Sequence, residues 1–160
     1  MTSIMYRPIG IIHTPFTTPE NMPIQNAGAD GETGTIDLFP ALAAGLEDLE
    51  GFSHLILLYH LHEVTRYSLK VIPFMDTVEH GIFSTRAPVR SNPIGMTIVK
   101  LISRNGCMIT ITGVDMLDNT PLLDIKPYLP RFDAFNDARI GWYEGKTDNC
   151  ETKRSDSRFI

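Results

Sequence analysis

Residues 96–117 read MTIVKLISRNGCMITITGVDML, and they carry the clearest structural signal in the chain. The segments 96–104 and 108–117 are rich in Ile, Val and Thr, which favour strands because their branched side chains pack well on a pleated sheet. Between them, Asn105-Gly106 predicts a tight hairpin turn, since a primed turn needs positive φ at its central positions. The stretch therefore predicts two paired antiparallel strands.

The segments on either side of this hairpin add further strands and one helix. Residues 54–61, HLILLYHL, are the most apolar run and predict a buried strand. Residues 5–12 predict the first strand, and residues 121–130 predict an extended segment broken by prolines. A helix is predicted over residues 40–49, where a proline opens the first turn and leucines follow at helical spacing.

The remaining segments indicate how these elements are organised. Residues 17–34 form a long polar stretch with two prolines and three glycines, and a loop of that length in a compact domain is usually functional or mobile. Strands do not alternate with long helices, which disfavours a doubly wound sheet. We therefore expect a mainly β fold, a small single-sheet β-barrel with one or two short helices, over residues 1–146. Residues 147–160 are expected to form a polar C-terminal tail.

The composition excludes several classes of protein. Of the 160 residues, 42% are hydrophobic and 21% are charged, which is typical of a soluble globular domain. The net charge is 14 − 19 = −5, which argues against a protein wrapped in nucleic acid but is compatible with a local basic patch. The longest apolar run is far shorter than the ~20 residues of a spanning helix, so no membrane association is expected. Cys107 and Cys150 form no CxxC pair, which indicates free thiols and a cytoplasmic protein.

Residues 81–95, GIFSTRAPVRSNPIG, indicate a loop with a fixed shape, because prolines restrict φ and glycines permit unusual φ. The segment 82–104 contains four basic residues and no acidic residue. An arginine-rich loop such as the one carrying Arg86 and Arg90 is suited to a phosphate or carboxylate, since guanidinium groups offer a rigid fork of donors. An ordinary surface loop with scattered arginines explains the same pattern.

Residues 113–128, GVDMLDNTPLLDIKPY, contain three carboxylates, Asp115, Asp118 and Asp124, around an Asp-Asn-Thr-Pro turn. Carboxylates in a loop can bind a metal ion or move protons, but these lack the spacing of an EF-hand. They are also explained by a turn cap and an ion pair. His54, His60 and His62 share strand parity, yet no further ligand completes a set, so no metal site is expected.

These segments together resemble the TrmO family, also called the YaeB/VirR or TsaA-like family. The resemblance rests on RPIGIIHTPF, GLEDLEGFSHLILLYHLHE, GIFSTRAPVRSNPIG and VDMLDNTPLLDIKPYLPRFD, in that order, and covers roughly residues 6–133. It implies a small TsaA-like β-barrel and a homodimer with the cofactor near the subunit interface. It also implies a methyltransferase that uses S-adenosyl-L-methionine to methylate N6 of a threonylcarbamoyl-modified adenosine next to the tRNA anticodon.

The family pattern assigns roles to residues where this sequence matches it. Glu63 stands where the family has Gln, Ser91 where it usually has Pro, and Asn119 where it usually has Gly. The resemblance implies cofactor contacts for ten residues: Gln25, Asn26, Ala27, His62, Glu63, Arg86, Met116, Leu117, Asp118 and Asn119. It places Asn92 in the family's Asn-Pro-Ile-Gly motif.

The chemistry of N6 methylation suggests roles for two of these residues. An adenine N6 is a weak nucleophile because its lone pair is delocalised into the ring, so acceptors aimed at its N–H would help. By analogy with unrelated N6-adenine methyltransferases, the Oδ1 of Asn92 is one such candidate, and a turn cap before Pro93 is the alternative. Asp118 is the second catalytic candidate, with a turn cap as its alternative. No GxGxxG motif follows a strand, so a cofactor would bind in loops.

We therefore expect a tRNA (adenine-N6)-methyltransferase, with S-adenosyl-L-methionine as cofactor, tRNA as partner, a homodimer as the assembly, and neither metal nor membrane. Three alternatives stay open on the sequence: a methyltransferase of the same family with another substrate, a non-catalytic S-adenosylmethionine- or RNA-binding module, and a metal-dependent hydrolase using the Asp and His residues.

Overall fold

The computed structural model describes residues 3–147 and 151–159, and most of the chain forms one closed barrel. The strands are β1 (Gly10–His13), β2 (Thr33–Leu38), β3 (His54–His60), β4 (Lys70–Val71), β5 (His80–Gly81), β6 (Ile94–Asn105), β7 (Met108–Thr112) and β8 (Thr120–Pro127). Six of them close the barrel in the order β1-β2-β7-β6-β3-β8, with every neighbouring pair antiparallel. A small separate sheet pairs β4 with β5. The predicted mainly β barrel is confirmed.

The predicted helix over residues 40–49 is wrong in type and length. The chain forms two 3-10 helices there, Pro40–Leu46 and Leu49–Gly51. Asp48 between them has φ of +65°, in the left-handed region, so a continuous helix is interrupted. Further short helices of the described residues are 3-10 turns at Asn26–Gly28, Ile82–Ser84, Gly141–Tyr143 and Ser157–Phe159 and a single α-helical turn, α1, at Pro130–Asp133.

The β6–β7 hairpin is present, but its turn is centred one residue later than the sequence suggested. Asn105 pairs with Met108, so Gly106 and Cys107 occupy the two central positions. Of these, Gly106 has a positive φ of 62° and Cys107 does not. Positive φ at the first central position alone is the pattern of a type II′ turn, which requires Gly there.

The largest differences from the expected strand boundaries lie at three places. The predicted loop over residues 17–34 ends in β2, a strand that the sequence pattern did not predict and that closes the barrel between β1 and β7. The predicted strand 5–12 is shorter, because regular pairing starts at Gly10. The predicted strand 108–117 stops at Thr112, so the following residues form a connection to β8.

The barrel interior is filled by aliphatic side chains that alternate along each strand. Its fully buried members are Ile12, Ile36, Leu55, Leu57, Val99, Ile109, Ile111 and Leu122. Toward one end of the barrel the lining changes, since Leu57 pairs with Thr97 and Tyr59 pairs with Gly95. A Cβ atom at Gly95 would lie 2.1 Å from the Tyr59 ring, so this position requires glycine for close approach.

Candidate functional site

A cavity of about 1370 Å³ lies at this end of the barrel. Its wall contains the end of β3, the start of β6, the β7–β8 connection and the loops that precede β2 and β6. The loops bring together segments that are as far apart in the chain as residues 17–27 and 115–120. Three of the four family-like segments quoted above, all except RPIGIIHTPF, therefore contribute residues to one space, although they are separated in the sequence.

All ten residues for which the resemblance implies cofactor contacts line this cavity. They are Gln25, Asn26, Ala27, His62, Glu63, Arg86, Met116, Leu117, Asp118 and Asn119. Their individual roles stay predictions, since a shared wall does not identify the atoms that a ligand touches.

Asn92 does not line the cavity wall of the described chain. Its side chain is exposed, and its backbone carbonyl accepts a hydrogen bond from the N–H of Ile94 at 2.8 Å. Of the Asn-Pro-Ile-Gly segment, Ile94 and Gly95 reach the wall. The catalytic role of Asn92 stays a prediction, and within a single chain its side chain is outside the site.

The two arginines of the 81–95 loop have different environments. Arg90 donates from Nη1 to the backbone carbonyls of Thr85, at 3.0 Å, and Ile82, at 3.2 Å, so it holds the loop in shape. Arg86 is exposed, and its Nη1 donates to the Oε1 of Gln25 at 3.1 Å. Arg86 thus joins two loops at the cavity wall and keeps further N–H donors for an anionic group.

Asp118 is held by hydrogen bonds from its own surroundings. Its Oδ1 accepts from the N–H of Thr14 at 3.1 Å and lies 3.2 Å from the Nδ1 of His13, and its Oδ2 accepts from the amide of Asn119 at 2.9 Å. Burial alone would raise the pKa of Asp118, but these hydrogen bonds outweigh it and lower the pKa. Asn119 has a positive φ of 60°, which Asn tolerates in place of Gly. The carboxylate therefore stabilises the turn.

Asp115 lies in a different environment three residues earlier. It lines the cavity, and its Oδ1 is closed off from solvent with no hydrogen-bond partner among the described residues. Burial raises its pKa to about 6, against the lowering effects of the Thr97 hydroxyl, its own backbone, the Arg86 charge and the backbone N–H of Asn26. The sequence showed Asp115 only as one of three loop carboxylates, and nothing in the pattern distinguished it from Asp118.

His62 lies at the cavity wall beside two polar neighbours. Its Nε2 is 3.4 Å from a carboxylate oxygen of Glu63, and its Nδ1 is 3.5 Å from the Oγ1 of Thr120. Within residues 3–147 and 151–159, no group of three or more His, Cys, Asp or Glu side chains is arranged to hold a metal ion. Cys150 lies outside the described residues.

The C-terminal part of the chain contributes to the cavity in a way that its polar sequence did not indicate. Ser155 exchanges backbone hydrogen bonds with residues of the loop before β2, donating to the Met22 carbonyl at 3.0 Å and accepting from Asn21 at 3.2 Å. The Phe159 ring meets Phe74 edge to face, with ring centroids 4.9 Å apart. Six residues of this part line the cavity: Ile140, Tyr143, Thr147, Ser155, Asp156 and Phe159. The division of the chain at residue 146 stays a prediction.

Comparison with known proteins identifies relatives over most of the chain. The model of the tRNA-methyltransferase O N-terminal domain matches residues 11–134. A probable S-adenosyl-L-methionine-binding protein of Pyrococcus abyssi is 51% identical over 157 residues, which are 98% of this chain and 85% of that protein. A tRNA (adenine(37)-N6)-methyltransferase of Mus musculus is 34% identical over 82% of this chain and 32% of its own length.

Solved structures agree with the sequence comparison. A crystal structure of TrmO from Pseudomonas aeruginosa superposes with a TM-score of 0.75 at 36% identity, covering 88% of this chain and 63% of that one. A second TrmO crystal structure gives 0.76 at 39% identity. This chain therefore spans slightly less than two thirds of the solved chains it matches. In the part of the chain that the structure describes, no helix is long and apolar enough to cross a membrane.

Proposed function

Because the chain belongs to the family of the tRNA-methyltransferase O N-terminal domain, we propose that it transfers a methyl group from S-adenosyl-L-methionine to N6 of a threonylcarbamoyl-modified adenosine next to the tRNA anticodon. The observation that carries the proposal is the cavity wall, where all ten residues with implied cofactor contacts meet. The name of the mouse relative supports the same reaction class. We place the protein in the cytoplasm, because its proposed substrate is tRNA.

The residues of the cavity fit the proposed cofactor. S-adenosyl-L-methionine supplies an electrophilic methyl group on a sulfonium, and it also carries a carboxylate, an ammonium and an adenine. Arg86 offers N–H donors for the carboxylate. The Oδ1 of Asp115, which has no partner among the described residues, lies at the same wall and stays available to the bound substrate. Leu117 and Met116 provide apolar surface beside these polar groups.

The chain's own residues would act mainly by positioning. Methyl transfer is an in-line displacement, so the acceptor nitrogen must be held on the axis of the breaking bond. Such orientation supplies up to roughly 7–11 kcal/mol of a barrier in the best intramolecular cases. Arg90 and Gly95 contribute indirectly, because Arg90 fixes the loop that carries Arg86 and Gly95 lets Tyr59 pack at the cavity wall.

We also propose a homodimer in which Asn92 of one protomer faces the cavity of its partner. The support is an exposed apolar edge next to the site: Ile94 and Met96 are 43% and 50% exposed, line the cavity and follow Asn92 closely in the chain. Light scattering should give twice the 17.9 kDa of one chain. At a cofactor concentration that leaves Arg86→Ala largely unoccupied, mixing it with Asn92→Ala should raise activity above that of either variant alone, because the hybrid contains one complete site. A stable, active monomer, or a mixture no more active than its components, would contradict the shared site.

The central experiment is methyl transfer to tRNA with and without the threonylcarbamoyl group. Isotopically labelled S-adenosyl-L-methionine is the donor, and mass spectrometry of the digested nucleosides locates the label. The proposal predicts labelled N6-methylated threonylcarbamoyladenosine, and no product from tRNA that lacks the modification. Label on unmodified tRNA would instead support a methyltransferase with another substrate.

A non-catalytic binding module is the second candidate, because the Pyrococcus abyssi relative is named only for binding S-adenosyl-L-methionine. The same assay separates the two. A protein that binds S-adenosylhomocysteine tightly, yet transfers no label to any tRNA under single-turnover conditions, would be a module.

A further inference from the structure

Asp115 lies at the cavity wall, and its Oδ1 atom is enclosed without a hydrogen-bond partner among the described residues. It lies in the connection between β7 and β8, against Thr97 of β6 and Tyr59 of β3. Its Oδ1 has no hydrogen-bond partner among the described residues, although it is closed off from water. Buried polar atoms are nearly always hydrogen-bonded, because an unsatisfied one has lost its hydrogen bonds to water without replacing them. The exception therefore indicates an atom whose partner arrives with a ligand.

The other carboxyl groups at the cavity wall are less suited to receive a proton. Asp118 accepts hydrogen bonds from Thr14 and Asn119, which stabilise its ionised form. Asp156 pairs with Arg158 at 2.7 Å. The side chain of Glu63 is 68% exposed, so water competes for it. Asp115 is thus the carboxylate at the cavity wall with an enclosed oxygen that accepts no hydrogen bond from the described residues.

The proposed reaction requires such an acceptor. The N6 atom of a threonylcarbamoyl-modified adenosine carries one hydrogen, and its lone pair is delocalised into the ring and the carbamoyl group. During methylation the S–CH₃ bond breaks and the N6–CH₃ bond forms. The sulfonium becomes a neutral thioether, and the N6 proton must leave. We propose that the carboxylate of Asp115 takes this proton as the general base, an inference that rests on the proposed function.

The electrostatic environment suits this role. Burial raises the pKa of Asp115 to about 6, so the group is mostly ionised at neutral pH but binds a proton far more readily than an ordinary Asp. The ionisable groups that act on it are Arg86, whose positive charge lowers the pKa, and Tyr59, whose own pKa is raised by burial and by Asp115. The Thr97 hydroxyl and the Asn26 N–H stabilise the carboxylate through hydrogen bonds.

The test compares Asp115→Asn with Asp124→Asn in single-turnover methylation of modified tRNA. Asp124 is a matched control, because it is a carboxylate of β8 that pairs with Lys126 at 2.7 Å and does not line the cavity. Asp115→Asn should lower the rate by about 10²–10⁴-fold, the range of general-base catalysis, whereas Asp124→Asn should keep it. Affinity for S-adenosylhomocysteine, measured by calorimetry, should stay within about threefold for both, since neither removes a cofactor anchor.

Thr97→Val provides a second readout. Loss of the hydroxyl should raise the pKa of Asp115 and shift the acidic limb of the pH–rate profile upward by about one pH unit. The carboxyl carbon of Asp115, followed by nuclear magnetic resonance in the protein without cofactor, should titrate with the same shift.

The outcomes separate this inference from the proposed function. If the native protein methylates modified tRNA and Asp115→Asn is equally fast, the general-base role is wrong and the function stands. If Asp115→Asn loses rate and S-adenosylhomocysteine affinity by the same factor, Asp115 is a cofactor ligand and the inference is overturned. If the native protein methylates no tRNA, the proposed function fails first.

Discussion

The middle of the barrel and its cavity end are lined by the same strands but by different kinds of side chain. In the middle, Leu55, Val99 and Ile111 are fully buried and purely aliphatic. At the cavity end, the same three strands lead to Tyr59 and Thr97, which are buried but polar, and to Asp115, whose Oδ1 is enclosed. The aliphatic side chains of the first region stabilise the fold by packing and carry no group that could bind or move a proton. The second retains groups that are costly to bury, which is expected where a protein binds and transforms a ligand.

The largest effect should come from breaking the middle of the barrel. Ile111→Ala should reduce the free energy of unfolding by about 2–5 kcal/mol, because it removes buried methyl groups and leaves a cavity. Ile102→Ala is the matched control, since Ile102 is 53% exposed, and it should cost less than about 0.5 kcal/mol. Urea denaturation measures both. Equal effects of the two changes would contradict the described core.

The two carboxyl groups near the cavity should give opposite pH dependences of stability. Asp115 has a pKa of about 6 in the folded protein against an ordinary 3.8. As pH rises, its carboxyl group therefore loses its proton at a lower pH in the unfolded chain than in the folded protein. Its contribution to folding stability should therefore fall between about pH 4 and pH 6, by about 3 kcal/mol at 1.36 kcal/mol per pKa unit. Asp118 has a lowered pKa, so its contribution is present above about pH 4 and is lost as pH falls through the folded-state pKa.

Urea denaturation at acid and neutral pH tests this contrast. Relative to the native protein, Asp115→Asn should become more stable as pH rises, and Asp118→Asn should become less stable. The same sign for both variants would show that the two carboxyl groups do not differ as described.

Gly95→Ala should displace side chains where the aliphatic middle of the barrel meets its cavity end. The added Cβ would lie 2.1 Å from the Tyr59 ring, so the ring or β6 must shift, at a cost of about 1–3 kcal/mol. Gly45→Ala is the control, because a Cβ there meets nothing within 4 Å. Urea denaturation gives the stability of each variant, and calorimetry should show weaker S-adenosylhomocysteine binding for Gly95→Ala alone. Equal stability of the two variants would mean that Tyr59 does not pack against Gly95.

The smallest effect is expected at the C-terminal edge of the cavity. Phe159→Ala removes one edge-to-face contact with Phe74 and should cost about 1 kcal/mol. Phe135→Ala, at a ring that is 72% exposed, should leave stability nearly unchanged. Thermal unfolding with and without S-adenosylhomocysteine compares them. If Phe159→Ala changes neither stability nor ligand binding, the segment around it does not form part of the cavity wall.

Local patterns predicted most of the barrel but not its closure. The apolar run of β3 and the hairpin between β6 and β7 are local features, so the sequence predicted them, although the turn lies one residue later than expected. The strand β2 was missed because its sequence, TGTIDL, contains Gly34 and Asp37, which are poor strand formers. Gly34 is needed there all the same, since a Cβ would lie 2.7 Å from the His13 carbonyl oxygen on the neighbouring strand. Such a requirement depends on tertiary packing and has no local signature.

The cavity was predictable only through the family resemblance. Its wall joins segments separated by more than a hundred residues, and Ser155 and Phe159 reach it from a stretch that looked like a polar tail. Asp115 and Asp118 are the same residue type in the same connection, and their roles diverge because the Oδ1 of Asp115 is enclosed without a partner, whereas both carboxylate oxygens of Asp118 accept hydrogen bonds. Burial and hydrogen bonding are properties of the folded chain, so the sequence could not separate them.

The measurement that tests the account most directly is calorimetric titration of S-adenosylhomocysteine into the native protein, Arg86→Ala and Arg104→Ala. Arg104 is the control, because it pairs with Glu50 and does not line the cavity. We expect one bound molecule per chain for the native protein and for Arg104→Ala, and at least about tenfold weaker binding for Arg86→Ala, since a charge-assisted hydrogen bond is lost. No heat and no thermal shift with millimolar ligand, or equal affinity of the two arginine variants, would contradict the assignment of this cavity as the S-adenosyl-L-methionine site.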